Sequence, residues 1–293
     1  MKLLIFNPEH DLCLANGSPD FVPPRSAVDY ARGSASLMQC LYPDALCCSA
    51  YDTFPTEDVT EVIAWGWNAA VKKLLLRGGI AETLLPSNET LERWRRLQHR
   101  QTFLPLQPDA CRIESAEQVE RLLASRQRRW VLKAPWSGAG RGLHWIDGRI
   151  SDNDGSWLRK AVENQGCVVA EPWRDVVEDF ALEYFVRNGA LEFVGYSLFS
   201  TTHGVYRENI QISDEQIVCR LKEKSLPHEL ERVQSAVEQW LAKNITPAYA
   251  GPLGVDFVID RGGRIHLCEV NLRHTMGMVA HARGGESVEL LSV

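Results

Sequence analysis

The sequence has no excess of positive charge. Its 293 residues include 32 Lys and Arg against 38 Asp and Glu, a formal net charge of −6 at pH 7. A general nucleic-acid-binding protein needs a basic face to neutralise phosphates, so the charge argues against this class. No apolar run is long enough to span a membrane, and the N-terminal run KLLIF (2–6) is too short for a signal peptide. We therefore expect a cytoplasmic protein with no nucleic-acid or membrane partner.

The motifs of several common enzyme classes are also missing. The eight cysteines include no C-x-x-C pair and no Cys/His spacing typical of zinc, which predicts reduced, structural thiols. A G-x-S-x-G elbow and a G-x-G-x-x-G fingerprint are absent too. Neither a covalent serine nucleophile nor a dinucleotide site is therefore indicated.

What is present is the composition of an ordinary globular protein, 45% hydrophobic and 24% charged. Over 1–88, buried strands alternate with helices: VIAWGWN (62–68) leads into AAVKKLLLRGG, with Asn68 as the expected N-cap. This order predicts a small α/β domain. From residue 89 to 293, strands and helices alternate with antiparallel hairpins, which predicts an α+β fold.

The segment VLKAPWSGAGRG (131–142) combines a strand with a glycine-rich loop. Loops of small residues let backbone N–H groups close on phosphate oxygens. Lys133 precedes the glycines, whereas a P-loop places its lysine after them. Another strand, LHWI (143–146), follows. The pattern predicts a phosphate-binding loop inside a β-hairpin.

The closing hairpin, GVDFVIDRGGRIHLCEVN, brings acids together. With a two-residue turn at Gly262–Gly263, Asp256 lies opposite Glu269, and Asn271 lies on the same face. Opposed carboxylates repel each other, and two carboxylates with an amide oxygen suit Mg²⁺ or Mn²⁺. A surface hairpin whose acids face water is the alternative, and a longer turn would break the pairing.

The upstream lysine, the glycine loop and the distant D-x(12)-E-x-N pattern, most specifically GVDFVID…HLCEVNLR, resemble the ATP-grasp superfamily. The resemblance covers about 88–285. It implies a pre-grasp α/β domain over 1–88 and an α+β ATP-grasp fold over 89–293, with antiparallel sheets and a glycine-rich lid hairpin. The first subdomain would span 89–168, and the second, with the metal site, 169–293.

The resemblance also implies an ATP site. Lys133 would contact the phosphates, together with a preceding basic residue: Arg100, or alternatively Arg96 or His99. In VVAEPW, backbone groups after Glu171 would read the adenine edge. The remaining implied nucleotide contacts are Ser137, Gly138, Gly140, Gly142, Pro172, Trp173, Arg174, Glu178, Val258, Leu267 and Cys268. Of these, Glu178 would bind the ribose, with Asp179 as the alternative, and Val258 with either Leu267 or Cys268 would face the adenine.

Substrate contacts are expected from two regions. Arg273, two residues after Asn271, matches the family position that binds the acyl substrate or its acyl phosphate. The polar residues after the first strand lie where open α/β sheets bind ligands and could grip an amine or amino acid, or simply cap a helix. The further substrate candidates are Glu9, His10, Asp11, Arg25, Arg207 and His274.

The reaction that the resemblance implies is ATP-dependent ligation, with Lys133 and Arg273 as catalytic residues. A small-molecule carboxylate would be activated as an acyl phosphate and joined to an amine or another nucleophile. Two alternatives remain open. One is phosphoryl transfer to a different acceptor on the same fold, and the other is nucleotide binding without catalysis.

Overall fold

The structure, a computed structural model, describes residues 1–126, 129–138, 142–202 and 204–284. Its N-terminal part is a three-stranded parallel sheet in the order β2-β1-β3. Central strand β1 is apolar and buried, as expected for a parallel strand covered on both faces. The elements are β1 (Lys2–Phe6), α1 (His10–Asn16), α2 (Arg25–Ser34), β2 (Ala45–Ser49), β3 (Glu61–Ala64) and α3 (Ala69–Arg77). The predicted N-cap is confirmed, because the Asn68 side chain accepts the N–H of Val71.

A second, four-stranded antiparallel sheet has the order β4-β7-β5-β6. Helices α5 and α6 cover one face, and Trp130, Leu132 and Val168 are buried beneath them. The glycine loop joins β5 to β6, as the sequence predicts. The elements are α4 (Asn88–Leu97), β4 (Cys111–Ile113), α5 (Ala116–Arg126), β5 (Trp130–Lys133), β6 (Leu143–Ile146), α6 (Asp152–Gln165) and β7 (Val168–Pro172).

The third sheet is five-stranded and antiparallel, in the order β10-β9-β8-β11-β12. Helices α7 and α8 pack on one face over a large apolar core. The elements are β8 (Val176–Arg187), β9 (Ala190–Thr202), β10 (Val205–Ile210), α7 (Asp214–Lys224), α8 (Glu229–Asn244), β11 (Gly251–Asp260), β12 (Ile265–Asn271) and α9 (Met276–Ala282). In the described ranges, no helix is both long and apolar enough to cross a membrane.

The β11–β12 hairpin has the predicted pairing of the two acids but not the predicted turn. Asp256 pairs with Glu269, as predicted, but Phe257 pairs with Leu267. The two-residue turn is therefore wrong. The turn has three residues (261–263), and Gly263 adopts a φ of 79°, the left-handed conformation that such turns require. A β-bulge at Cys268 absorbs the difference and restores the predicted register.

Candidate active site

A cleft of about 1510 Å³ lies where the three sheets meet. Phe6 and Trp65 border it from the first sheet, Lys133 from the second and Asp256 from the third. Pockets for a single small ligand usually measure about 300–1,000 Å³. The cleft therefore has room for more than one ligand.

Lys133 lies at the end of β5, at the edge of this cleft, and is only 9% exposed. Its Nζ is 2.7 Å from Glu171 Oε2 on the neighbouring strand β7, and it donates a 3.3 Å hydrogen bond to the Cys268 carbonyl. The predicted phosphate lysine thus contacts two of the predicted nucleotide residues. Because its charge is paired rather than neutralised by water, it is held in one orientation.

Arg100 is the basic residue that reaches the cleft from the 3-10 helix Arg100–Leu106. Its Nη2 is 2.7 Å from Glu269 Oε1, and its Nε donates to the Ala134 carbonyl. Burial is the largest influence and opposes the charge, but the carboxylates of Glu269, Glu171 and Asp11 together outweigh it and raise the pKa of Arg100. Of the two alternatives, Arg96 pairs with Glu92 at the surface, and His99 packs edge-on against Trp136.

The predicted metal ligands share one face of the β11–β12 hairpin. Burial and the neighbouring carboxylates of Glu269 and Glu183 raise the pKa of Asp256 to about 8. Asn271 Nδ2 donates to Asp256 Oδ2 at 3.0 Å. In the described part of the chain, no group of three or more His, Cys, Asp or Glu side chains could hold a metal by itself. Two carboxylates and one amide oxygen nevertheless fit Mg²⁺, which commonly takes its remaining ligands from phosphates and water.

Arg273 connects this hairpin to the loop after β1. Its Nε and Nη2 donate to the two oxygens of Asp11 at 3.2 and 3.0 Å, and Nη2 also donates to Asn271 Oδ1 at 3.0 Å. Burial is the largest influence and disfavours the Asp11 carboxylate, but Arg273, together with the smaller effects of His10 and Arg100, outweighs burial and lowers the pKa of Asp11. A Cβ at Gly138 would overlap Asp11 Oδ2, so the glycine loop also meets this pair. The sequence placed Arg273 and Asp11 in separate groups and missed their contact.

The wall that the sequence predicts for the adenine and ribose differs from that prediction at one acid. Glu178 is 6% exposed and pairs with Arg220 and Lys224 of α7, at 2.6 and 2.5 Å, on the face away from the cleft. Neighbouring side chains on a strand point to opposite faces, and Asp179 borders the cleft, accepting a bond from Thr201. The alternative acid, Asp179, therefore occupies the position expected of Glu178.

For the apolar part of this wall, the sequence predicted Val258 together with either Leu267 or Cys268. Val258 and Cys268 border the cleft, whereas Leu267 is buried in the large apolar core. The bulge at Cys268 shifts the alternation of β12 at this point, so the cleft receives Cys268 rather than Leu267.

The predicted hinge residues 171–174 all border the cleft. The N–H of Trp173 donates to the Arg129 carbonyl at 2.8 Å, and the Arg129 guanidinium lies 3.4 Å above the Trp173 ring centre. Trp145 of β6, 45% exposed, approaches the same ring edge-on at 5.8 Å. Arg129 and Trp145 were not predicted as site residues; the signal in the sequence was the tryptophan in the strand that follows the glycine loop.

Part of the glycine loop can also be placed. Ser137 and Gly138 border the cleft, and Gly142 has a φ of 72°, which favours glycine. Gly140 lies outside the described residues.

No protein-family model matches the sequence, and no curated protein matches it. Solved structures of carboxylate–amine ligases of the ATP-grasp type do match the fold. D-cycloserine synthetase DcsG matches with a TM-score of 0.59 and 14% identity, over 97% of each chain. N5-carboxyaminoimidazole synthetase from Staphylococcus aureus, complexed with ADP, has a TM-score of 0.53 and 12% identity, over 94% of this chain and 70% of that one. D-alanyl-alanine synthetase A from Vibrio cholerae has a TM-score of 0.51 and 13% identity, over 92% of this chain and 88% of that one.

The chain has the ATP-grasp fold. This confirms the fold class expected from the lysine, the glycine loop and the closing hairpin. At these identities the likeness concerns the fold and leaves the substrates open.

Within this ATP-grasp fold, the candidate substrate contacts after β1 include residues that border the cleft and one that is buried away from it. Glu9 is 4% exposed and borders the cleft, and burial raises its pKa to about 7. His10 is fully buried between Asn68 and Gln98, at 3.1 and 3.3 Å, and does not border the cleft. Burial lowers the pKa of His10 to about 4, so this imidazole is neutral and fills the loop interior. The prediction of His10 as a substrate contact is therefore corrected to a packing role.

The remaining substrate candidates also differ in whether they border the cleft. Arg25 does not border the cleft; its side chain is 94% exposed and faces Asp29 one turn along α2. His274 is buried away from the cleft, where it contacts Tyr42 at 3.0 Å and links the third sheet to the first. The predictions of Arg25 and His274 as substrate contacts are therefore corrected, because neither side chain borders the cleft. Arg207 of β10 is exposed and borders the cleft.

Proposed function

We propose that the protein is an ATP-dependent ligase that activates a small-molecule carboxylate and joins it to an amine. One observation carries the proposal: Lys133, Arg100 and Arg273 converge with Asp256 and Glu269 in a cleft with room for a nucleotide and a second ligand. Convergent positive charge suits a reaction in which phosphate oxygens gain negative charge.

In the first step, a carboxylate oxygen of the substrate attacks the γ-phosphorus of ATP. The bond from that phosphorus to the β,γ-bridging oxygen breaks, which gives an acyl phosphate and ADP. Lys133 and Arg100 neutralise the phosphate oxygens, and both are held in place by carboxylates of the cleft wall. Mg²⁺ or Mn²⁺, held by Asp256, Glu269 and Asn271 with the phosphates, would offset further charge.

In the second step, the lone pair of the neutral amine nitrogen attacks the acyl carbon, the bond from that carbon to the phosphate oxygen breaks, and the nitrogen gives up a proton to the departing phosphate. Inorganic phosphate leaves with the electron pair of that bond. Arg273 presents a planar guanidinium, which Asp11 orients, to the acyl phosphate. No enzyme nucleophile takes part, so catalysis depends on positioning and charge.

The test is ADP release from MgATP, measured alone and with pooled carboxylates and amines. Ligation predicts release that needs a carboxylate, and with hydroxylamine in place of the amine it predicts a hydroxamate trapped from the acyl phosphate. Asp256→Asn should abolish release, whereas Asp44→Asn should retain it, because Asp44 is a surface acid just before β2 that pairs with Lys2. A phosphorylated product without hydroxamate would replace ligation by phosphoryl transfer. If the protein binds MgATP but releases no ADP with any pool, the ligase proposal is wrong and the protein is a non-catalytic nucleotide-binding protein.

A further inference from the structure

Gln107 follows the 3-10 helix Arg100–Leu106 and contacts both the second and the third sheet. It is 8% exposed and does not border the cleft. Its Nε2 donates to the Leu267 carbonyl of β12 at 2.9 Å and to Glu171 Oε1 of β7 at 3.2 Å. A carbonyl can only accept, so the amide nitrogen must face Leu267, and its two hydrogens serve these two acceptors. A buried amide thus joins two of the sheets that border the cleft.

Glu171 connects this amide to the predicted phosphate lysine. Its second oxygen, Oε2, is 2.7 Å from Lys133 Nζ, and the side chains of Glu171 and Lys133 are only 12% and 11% exposed. A carboxylate that accepts from Gln107 at one oxygen is not free to turn, so the other oxygen keeps its place beside the ammonium. Lysine has a flexible four-carbon stem and does not fix the position of its own charge. The position of Lys133 Nζ therefore depends on the groups that hold Glu171.

The β-bulge at Cys268 supplies the other anchors of this network. β12 is the outer strand of its sheet, and two successive carbonyls accept from outside the sheet: Leu267 from Gln107, and Cys268 from Lys133 Nζ at 3.3 Å. Successive carbonyls of a regular strand point to opposite sides, so a regular β12 would offer only one of the two. The bulge therefore lets Gln107 and Lys133 bind neighbouring carbonyls of one strand.

The anchored lysine keeps a donor for a ligand. Its ammonium has three N–H groups, and the described contacts, with Glu171 and the Cys268 carbonyl, use two of them. Lys133 borders the cleft, so the third N–H serves a ligand bound there. A neutral amide suits the position of Gln107, because a second acid would compete for Lys133 and a second cation would compete for Glu171.

We propose, on the basis of the ligase function above, that Gln107 is a positioning residue for phosphate binding. Its amide fixes the Glu171 carboxylate, and the carboxylate holds the Lys133 ammonium at the edge of the cleft. Because Gln107 does not border the cleft, it acts through Lys133 and not on a ligand.

The experiment measures MgATP and adenosine Kd values by calorimetry at pH 8 for the wild type, Gln107→Met, Lys133→Ala and the double variant. Methionine has a similar length but no N–H donor. Gln107→Met should raise the MgATP Kd roughly fivefold, or about 1 kcal/mol, and leave the adenosine Kd unchanged, because adenosine has no phosphate. In the Lys133→Ala background, Gln107→Met should have no further effect. The control, Gln39→Met, removes an amide that binds three backbone carbonyls outside the cleft and should change neither Kd.

Three results would overturn the proposal: an unchanged MgATP Kd in Gln107→Met, an equal loss of adenosine and MgATP affinity, or a full effect in the Lys133→Ala background. The last two would indicate a general loss of structure. Gln107→Glu, which keeps the shape, should weaken MgATP binding more than Gln107→Met, since a second carboxylate then faces Glu171.

The ligase function fails separately from this role of Gln107. Coupling between Gln107 and Lys133 in MgATP binding, without ADP release from any substrate pool, would refute ligation alone. ADP release with additive effects of the two substitutions would refute the positioning role alone. A wild type that does not bind MgATP would refute both.

Discussion

Glu9→Gln should stabilise the protein, and more strongly at pH 8 than at pH 5. Burial raises the pKa of Glu9 from 4.5 to about 7, and one carboxylate oxygen has no partner in the described part of the chain. The unfolded chain therefore loses the Glu9 proton first. The folded state binds this proton more tightly than the unfolded state does. The resulting contribution to the free energy of unfolding is complete below pH 4.5 and is lost as the pH rises through 7.

The expected magnitude follows from the size of this shift. A shift of about 2.5 pKa units corresponds to about 3 kcal/mol at pH 8, where both states are ionised, and to about 1 kcal/mol at pH 5. Glutamine does not titrate, so the variant avoids this cost. The free energy of unfolding of Glu9→Gln, relative to wild type, should thus rise by about 2 kcal/mol between pH 5 and pH 8.

Urea unfolding at 25 °C and both pH values measures this difference directly. The control is Glu57→Gln, which removes an exposed carboxylate from the same part of the chain and should show no such gain. An identical wild type-to-variant difference at both pH values would refute the reasoning, because it would mean that Glu9 has the same pKa folded and unfolded.

Five further variants test the remaining assignments. Lys133→Ala should weaken MgATP binding at least tenfold in a calorimetric titration; unchanged affinity would remove its phosphate role. Asp256→Asn should raise the apo protein's urea midpoint at pH 8, where like-charge repulsion is relieved, and a lower midpoint would contradict this. Asp179→Asn should weaken ATP binding, whereas Glu178→Gln should mainly lower stability, since it breaks the pair with α7; the reverse pattern would restore the original assignment. Arg273→Lys should lose turnover but retain MgATP affinity, and full activity would refute the need for a planar fork.

The sequence alone was sufficient for the fold class and for the acid pair of the closing hairpin. Apolar runs and turn residues are local signals, so the parallel N-terminal sheet and the antiparallel hairpins could be predicted from them. The pairing of Asp256 with Glu269 was correct although the turn was not. A third turn residue shifts the register by one, and the bulge at Cys268 shifts it back.

Only the tertiary structure decided between neighbouring residues and identified their partners. Which of Glu178 and Asp179 faces the cleft depends on the side of β8 that α7 covers. Likewise, Arg273 and Asp11 are 262 residues apart in the chain, and their contact exists only because the third sheet packs against the first. The sequence determined which groups with the right chemistry are available. Packing between distant elements decided which of them are buried, paired or left facing the cleft, because burial and charge pairing are properties of the assembled fold.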